Sequence, residues 1–354
     1  MRLFIQMMRH PILTVILIAA ALWLAAYRGT GLYFEGQVQQ RIDQLKKDGK
    51  RTTLEEMVPE AVPAALNAAP FYLAAFELNR QQGGFSPGSG PLLEQYRADR
   101  QKLDAMLQAR DLSFGLLAEA YARPGCRFDL DYESGFLMEH PNLSGFRTLH
   151  TLAGLRVVQL VDQERGQEAV TVAAHAVRSL RRFRMGDDLV GRLVTWAATD
   201  RLCDGLEALA DSRLRADYRP LLDELDALIE EEQDGFLRAI EGERMFAHDL
   251  FQKLSRGDVS YQEILGENLS GLPLAMYQLG GRPLLLADEV SYLDRTRKAE
   301  QAVEEGRPEV LEELGTPRAA FSNVLSPNYS RAYKLHSRIR ERLGSLRERL
   351  ESPG

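Results

Sequence analysis

Cysteine is nearly missing from this chain: Cys126 and Cys203 are the only two. Two thiols cannot build the framework of bridges that braces a small secreted domain, so they form either one bond in an oxidising compartment or two unpaired structural thiols. An excess of positive charge is missing as well. The formal charge is −7, and it becomes −10 when Arg2, Arg9 and Arg28 are set aside. Such an acidic body excludes a nucleic-acid partner. Strand-type alternation is scarce, since apolar residues recur at helical spacing almost everywhere. No stretch carries a cofactor motif, and neither a cofactor nor a metal is expected.

What the chain does have is one long run without charge. Residues 11–27, PILTVILIAAALWLAAY, hold Thr14 as their only clearly polar side chain. At ~1.5 Å per residue this is about 25 Å of helix, the short end of what crosses a bilayer. Arg2, Arg9 and His10 precede it, and Trp23 and Tyr27 lie near its far end as an interfacial aromatic belt would. The small-x-small triplet Ala19-Ala20-Ala21 lies inside the run, and Leu24 spoils the sites nearer its end, so the segment reads as an uncleaved signal anchor. Positive charges flank it almost evenly, with Arg28, Arg41, Lys46 and Lys47 on the far side. A short basic N-terminus in front of a long domain leaves that N-terminus in the cytoplasm and the body outside it.

The rest reads as helices. Thr53 and Glu56 make a capping box, Asn67 is an N-cap with Pro70 in the first turn, and Gly83-Gly84 ends that helix. Further helices are expected over 92–109 and 112–122. The stretch 126–135, CRFDLDYESG, is the one that looks extended. Two amphipathic segments meet at Arg165-Gly166 as a helical hairpin, with Ala169, Ala173 and Ala176 allowing close packing. Another pair is expected over 188–210 and 216–254. Leu335, Ile339, Leu343, Leu346 and Leu350 form one stripe on a final helix whose other face carries Arg338, Arg340, Arg342, Arg347 and Arg349. That face suits either anionic lipid or, by way of its leucines, docking on the preceding hairpins.

The expected fold is therefore all-α: an N-terminal transmembrane helix followed by stacked antiparallel helical hairpins, solenoid-like. Residues 1–28 make the cytoplasmic N-terminus and anchor. Residues 29–125 make juxtamembrane and N-terminal helices with a flexible loop at 82–91, and 126–354 make a helical-hairpin body ending in the amphipathic helix. The likeness to tetratricopeptide-type arrays is architectural, because their 34-residue consensus is absent.

The anchor together with LNAAPFYLAAFEL, GCRFDLDYESGF, the hairpin centred on Gly166, LGGRPLLLADEVSYLD and LSPNYSRAYKLHSRIRERL resembles an uncharacterised family of membrane-anchored, all-helical bacterial envelope proteins. That resemblance implies fold and topology, with a single pass through the inner membrane, and transfers no site residues.

Candidate chemistry is sparse. GFSPG (84–88) matches a hydrolase nucleophile elbow around Ser86, but the next residue is Pro87, which has no N–H to lend an oxyanion hole. His150 and His175 lie on the two arms of the hairpin, about 10 Å apart along it, too far to share an ion. The acidic run 223–234 lacks the glycine and ligand order of a calcium loop and reads as a solvated helix face. EGERMFAHD puts Glu241, Met245 and His248 on one helical face beside Glu243, Arg244 and Asp249. Glu241 and His248 are the only acid-base candidates for catalysis. The function expected is a membrane-tethered extracytoplasmic scaffold that binds other envelope proteins. The alternatives are a helical domain sensing a ligand, and a hydrolase using the Glu241/His248 groove.

Overall fold

In the computed structural model the uncharged run begins a helix that does not stop where the run ends. Helix α1 (Pro11–Lys47) passes without a break through Gly29, Gly31 and Gly36, where the sequence suggested an anchor followed by a separate polar helix. Burial divides its two parts. Val15, Ile16, Leu17 and Ile18 are all exposed. At 100° per residue they cover the whole circumference, so this part has no face turned to a protein core. Burial starts at Val38, Ile42 and Leu45, a one-sided stripe at i, i+4 and i+7.

The structure describes residues 11–83, 90–140, 143–183, 188–265, 272–314, 325 and 327–351. After α1 come α2 (Ala69–Gln81), α3 (Leu92–Ala98), α4 (Arg100–Gln108), α5 (Asp111–Tyr121), α6 (Leu143–Asp162), α7 (Gly166–Arg182) and α8 (Leu189–Ser212). Then follow α9 (Arg219–Gln233), α10 (Gly235–Arg256), α11 (Tyr261–Leu265), α12 (Leu272–Glu304), α13 (Val310–Glu313) and α14 (Tyr329–Glu351). No strand occurs among the described residues.

Two expected helices are each divided. The backbone leaves the helical region at Asp99 (φ −140°, ψ 45°) between α3 and α4, and α9 gives way to α10 at Asp234-Gly235. A Cβ on Gly235 would lie 2.5 Å from a Glu232 carboxylate oxygen, so a larger residue there would displace the carboxylate from Trp196. The stretch expected to be extended stays irregular until a 3-10 turn at Tyr132–Leu137. Asn67 holds it. Its Oδ1 accepts from the Arg127 N–H (2.8 Å) and from the Ala69 N–H at the start of α2 (3.1 Å), while its Nδ2 donates to the Arg127 carbonyl (2.9 Å).

The chain forms two compact units, each assembled from segments far apart in sequence. The first contains residues 1–56, 135–137 and 244–327; the second contains 57–134, 138–243 and 328–354. In the first, Phe34, Val38, Ile42 and Leu45 of α1 pack on Leu286, Val290 and Leu293 of α12. Ala247, Leu250, Phe251 and Leu254 of α10, at i, i+3, i+4 and i+7, pack on Leu285, Tyr292 and Leu325. In the second unit α6 is central. Every residue from Leu149 to Leu155 is buried, the mark of a helix enclosed on all sides. It packs on α7 across the turn at 163–165, where Glu164 takes a positive φ. It also crosses α8 so closely that a Cβ on Gly205 would lie 2.6 Å from the Gly154 carbonyl oxygen.

Candidate functional site

Helix α10 carries the residues in which the sequence concentrates acid-base potential. His248 finds its acid on another helix: Nδ1 lies 2.6 Å from Oε1 of Glu289 on α12. Gln252 Nε2 donates to the same oxygen at 3.4 Å. Glu289 is wholly buried, and its Oε2 has no hydrogen-bond partner among the described residues. Glu241 lies two turns earlier on α10 and belongs to the other unit. Of the neighbours, Met245 is buried, Arg244 pairs with the buried Glu300 and donates to the Arg51 carbonyl (3.0 Å), and Asp249 pairs with Lys253 (2.9 Å).

Glu243 joins a polar group that the sequence reading did not assemble. Its Oε1 accepts the Leu189 N–H at 3.0 Å, and Asp188 Oδ1 accepts the Gly191 N–H at 2.8 Å, so both carboxylates cap the N-terminus of α8. Asp188 Oδ2 is 2.6 Å from Nε2 of His140. Burial, and then the charge of Asp188, push the Glu243 carboxyl up to about 7. Burial is the largest influence on the His140 imidazole and works to lower it, but the hydrogen bond to Asp188, the charge of Asp188, the Met138 backbone and Glu243 together outweigh it and the net shift is upward. The group can therefore hold protons near neutrality, yet both carboxylates are already engaged in ending a helix. Asp188 is legible as an N-cap; its partner 48 residues earlier is not.

The other candidates fall into packing roles. His150 is drawn into the core because α6 is enclosed all round. Its Nδ1 lies 2.8 Å from the Phe146 carbonyl oxygen, and burial lowers it to about 4. His175 faces the Tyr121 ring at 4.2 Å, a ring that Arg178 also covers at 3.7 Å; burial and then Arg178 lower it. Ser86 lies outside the described residues. Cys126 and Cys203 are both free, and burial pushes each thiol up to about 12.

The acidic run is a solvated face only in part: Asp223, Asp226, Glu230 and Asp234 are exposed, but Glu224 and Glu232 turn inward. Glu224 is buried and bound by Arg178 and Arg181 of α7. Glu232 is buried too, and accepts from Trp196 Nε1 (2.8 Å) and Arg192 (3.2 Å) of α8. Burial acts to raise Glu232, but His336, Arg192 and Trp196 together hold it below the usual carboxylate range. His336 of α14 reaches the Glu232 carbonyl oxygen at 2.9 Å, so this run helps to seat the final helix.

That helix docks as its stripe suggests. Ile339, Leu343, Leu346 and Leu350 are buried, with His336 rather than Leu335 completing the face. Its arginines are engaged with carboxylates of α8 and α9. Arg338 reaches Asp200 (3.2 Å), and Arg342 bonds Asp200 (2.9 Å), Asp204 (2.6 Å) and Glu207 (2.8 Å). Arg349 pairs with Asp211, and Arg347 with Asp226 (2.8 Å). Asp200, Asp204, Glu207 and Asp211 form a carboxylate stripe matched to the arginine stripe, and Arg340 is left exposed. The face that the sequence offered to anionic lipid is thus occupied from within.

Among the described residues no group of three His, Cys, Asp or Glu side chains is placed to hold a metal ion. No protein-family model, curated protein or solved structure matches the chain.

Proposed function

We propose that this chain is a membrane-tethered scaffold or protein-interaction module of the cell envelope, anchored once in the inner membrane, with its helical-hairpin body on the extracytoplasmic side. One observation carries the reading. The first part of α1 is long and apolar enough to cross a membrane, with none of that window buried, and it continues unbroken into a stripe that packs within a folded unit. A tethered body is confined to the membrane plane, where its effective concentration for other envelope components rises. The polar candidates support a binding role over a catalytic one, because His248, Glu243 and Glu232 are taken up in pairs that hold helices together.

The test is crosslinking in the native host from the full chain, with identification of captured envelope proteins, combined with complementation. Glu241→Gln and His248→Gln are expected to complement, and removal of α14 from Tyr329 to abolish the role. Loss of function in a folded Glu241→Gln or His248→Gln protein would replace the scaffold with a reactive or ligand-binding groove.

A further inference from the structure

The first unit holds a second apolar segment, and its position relative to α1 gives it a meaning. From Gly31 onward α1 runs in the same direction as the second limb of α12. Pro283 stands against Gly31, Asp294 bonds Arg41 (2.7 Å) and Glu304 pairs with Lys50. Tracing α12 backwards therefore leads toward the end of the membrane span. Gly281 arrives beside Tyr27, where a Cβ would lie 2.3 Å from the tyrosine hydroxyl. Tyr27 is the last residue of the uncharged run and stacks on Trp23 at 5.4 Å.

At that level α12 breaks. Gly281 takes φ +55°, ψ −147°, a conformation favouring glycine, and the helical segment 272–280 leaves the axis of the limb that packs on α1. Its sequence, LPLAMYQLG, contains no charge. Charge returns immediately after the break: Arg282 bonds Glu35 of α1 (2.9 Å) and the Ser255 hydroxyl (3.0 Å). The uncharged stretches of α1 and α12 thus end at one height, where a tyrosine-tryptophan pair marks the boundary between headgroups and acyl chains.

We propose that residues 272–280 are an interfacial helix, seated in the headgroup and acyl boundary of the leaflet that the body faces and forming a second membrane contact beside the anchor. Nine residues rise about 13.5 Å, too short to cross the bilayer. The first four N–H and last four C=O groups of so short a helix lack intrahelical partners, and at the headgroup boundary water and headgroups can meet them, so the segment can lie at that depth but not deeper. Of the possible occupants, lipid is chosen by continuity: the segment begins where a bare membrane helix ends.

The inference rests on α1 crossing the membrane, and the test separates the two. The full chain is reconstituted in phosphatidylcholine and phosphatidylglycerol vesicles, with or without acyl-chain bromination. Trp196, wholly buried in the second unit, is the unquenched reference in a Trp23→Phe background. Met276→Trp, Tyr277→Trp and Leu279→Trp are placed singly in that background and sample three sides of the segment. A blue-shifted emission lost to shallow bromine at one or more positions is the expected result. If Trp23 of the native chain is quenched while none of the three is, the interfacial helix is wrong and the anchor stands. If Trp23 itself is not quenched, both fall.

Discussion

Replacing Gly205 by alanine and Gly344 by alanine is the same chemical change in the interior of two helices, and the structure gives it opposite signs. A Cβ at Gly205 would come 2.6, 2.8 and 3.0 Å from the carbonyl oxygen, Cα and carbonyl carbon of Gly154. All three are backbone atoms of α6, which cannot rotate out of the way as a side-chain tip does. Overpacking of this kind costs ~1–3 kcal/mol, and three backbone contacts point to the upper end. Against it stands a gain of ~1 kcal/mol for exchanging a helical glycine for alanine. A net loss of about 2 kcal/mol is expected at Gly205. At Gly344 of α14 nothing lies within 4 Å of the new methyl, so only the gain of ~1 kcal/mol remains. Urea unfolding of the full chain in detergent, followed by Trp196 emission and helical ellipticity, measures the difference of roughly 3 kcal/mol. A Gly205→Ala protein as stable as the Gly344→Ala protein would refute the close crossing of α6 and α8.

Three further outcomes are expected. The full chain should stay with the membrane on carbonate extraction, and Leu17→Arg combined with Leu22→Arg should release it, at ~2.5–3.5 kcal/mol for each arginine at the span centre; equal retention of both proteins would count against the span. The Glu243 carboxyl sits at about 7 when folded against 4.5 when unfolded, so the folded state holds the extra proton between those values and stability falls as pH rises through that window. Glu243→Gln stays neutral throughout and should gain stability over the native chain between pH 5 and 8, whereas a difference that does not change with pH would dismiss the shift. Arg342→Lys should loosen α14, because an ammonium cannot reproduce a fork shared by three carboxylates. Faster amide exchange over residues 339–350 is the readout, and Arg340→Lys, at an exposed position, should leave it unchanged.

Much of the local structure is legible in the sequence because it depends on near neighbours. The leucine stripe of α14 follows from its period, the first turn of α2 from Pro70, although its N-cap is Ala68 rather than the expected Asn67, and the long apolar start of α1 from seventeen residues without charge. The end of α1 is not legible, since Gly29, Gly31 and Gly36 weaken a helix that packing from Val38 onward sustains. Partnership is hidden for a related reason. Glu224 and Glu232 resemble their solvated neighbours until Arg178 and Arg192, 46 and 40 residues earlier, are folded against them. His248 resembles half of a pair with Glu241 until Glu289, 41 residues later, proves to be its acid. Periodicity reports which face of a helix is covered, and no period encodes which distant segment covers it.

Under the proposed anchoring, the unbroken course of α1 makes the anchor a continuous axle. From Arg28 to Lys47 about 30 Å of uninterrupted helix would stand between the bilayer surface and the end of α1. The first unit would then be held at a set height and a set bearing, and a turn of the span within the lipid would turn that unit with it. A single residue inserted near Arg28 would swing it by about 100° and lift it by ~1.5 Å, enough to aim a different side of the molecule at whatever neighbour shares the membrane.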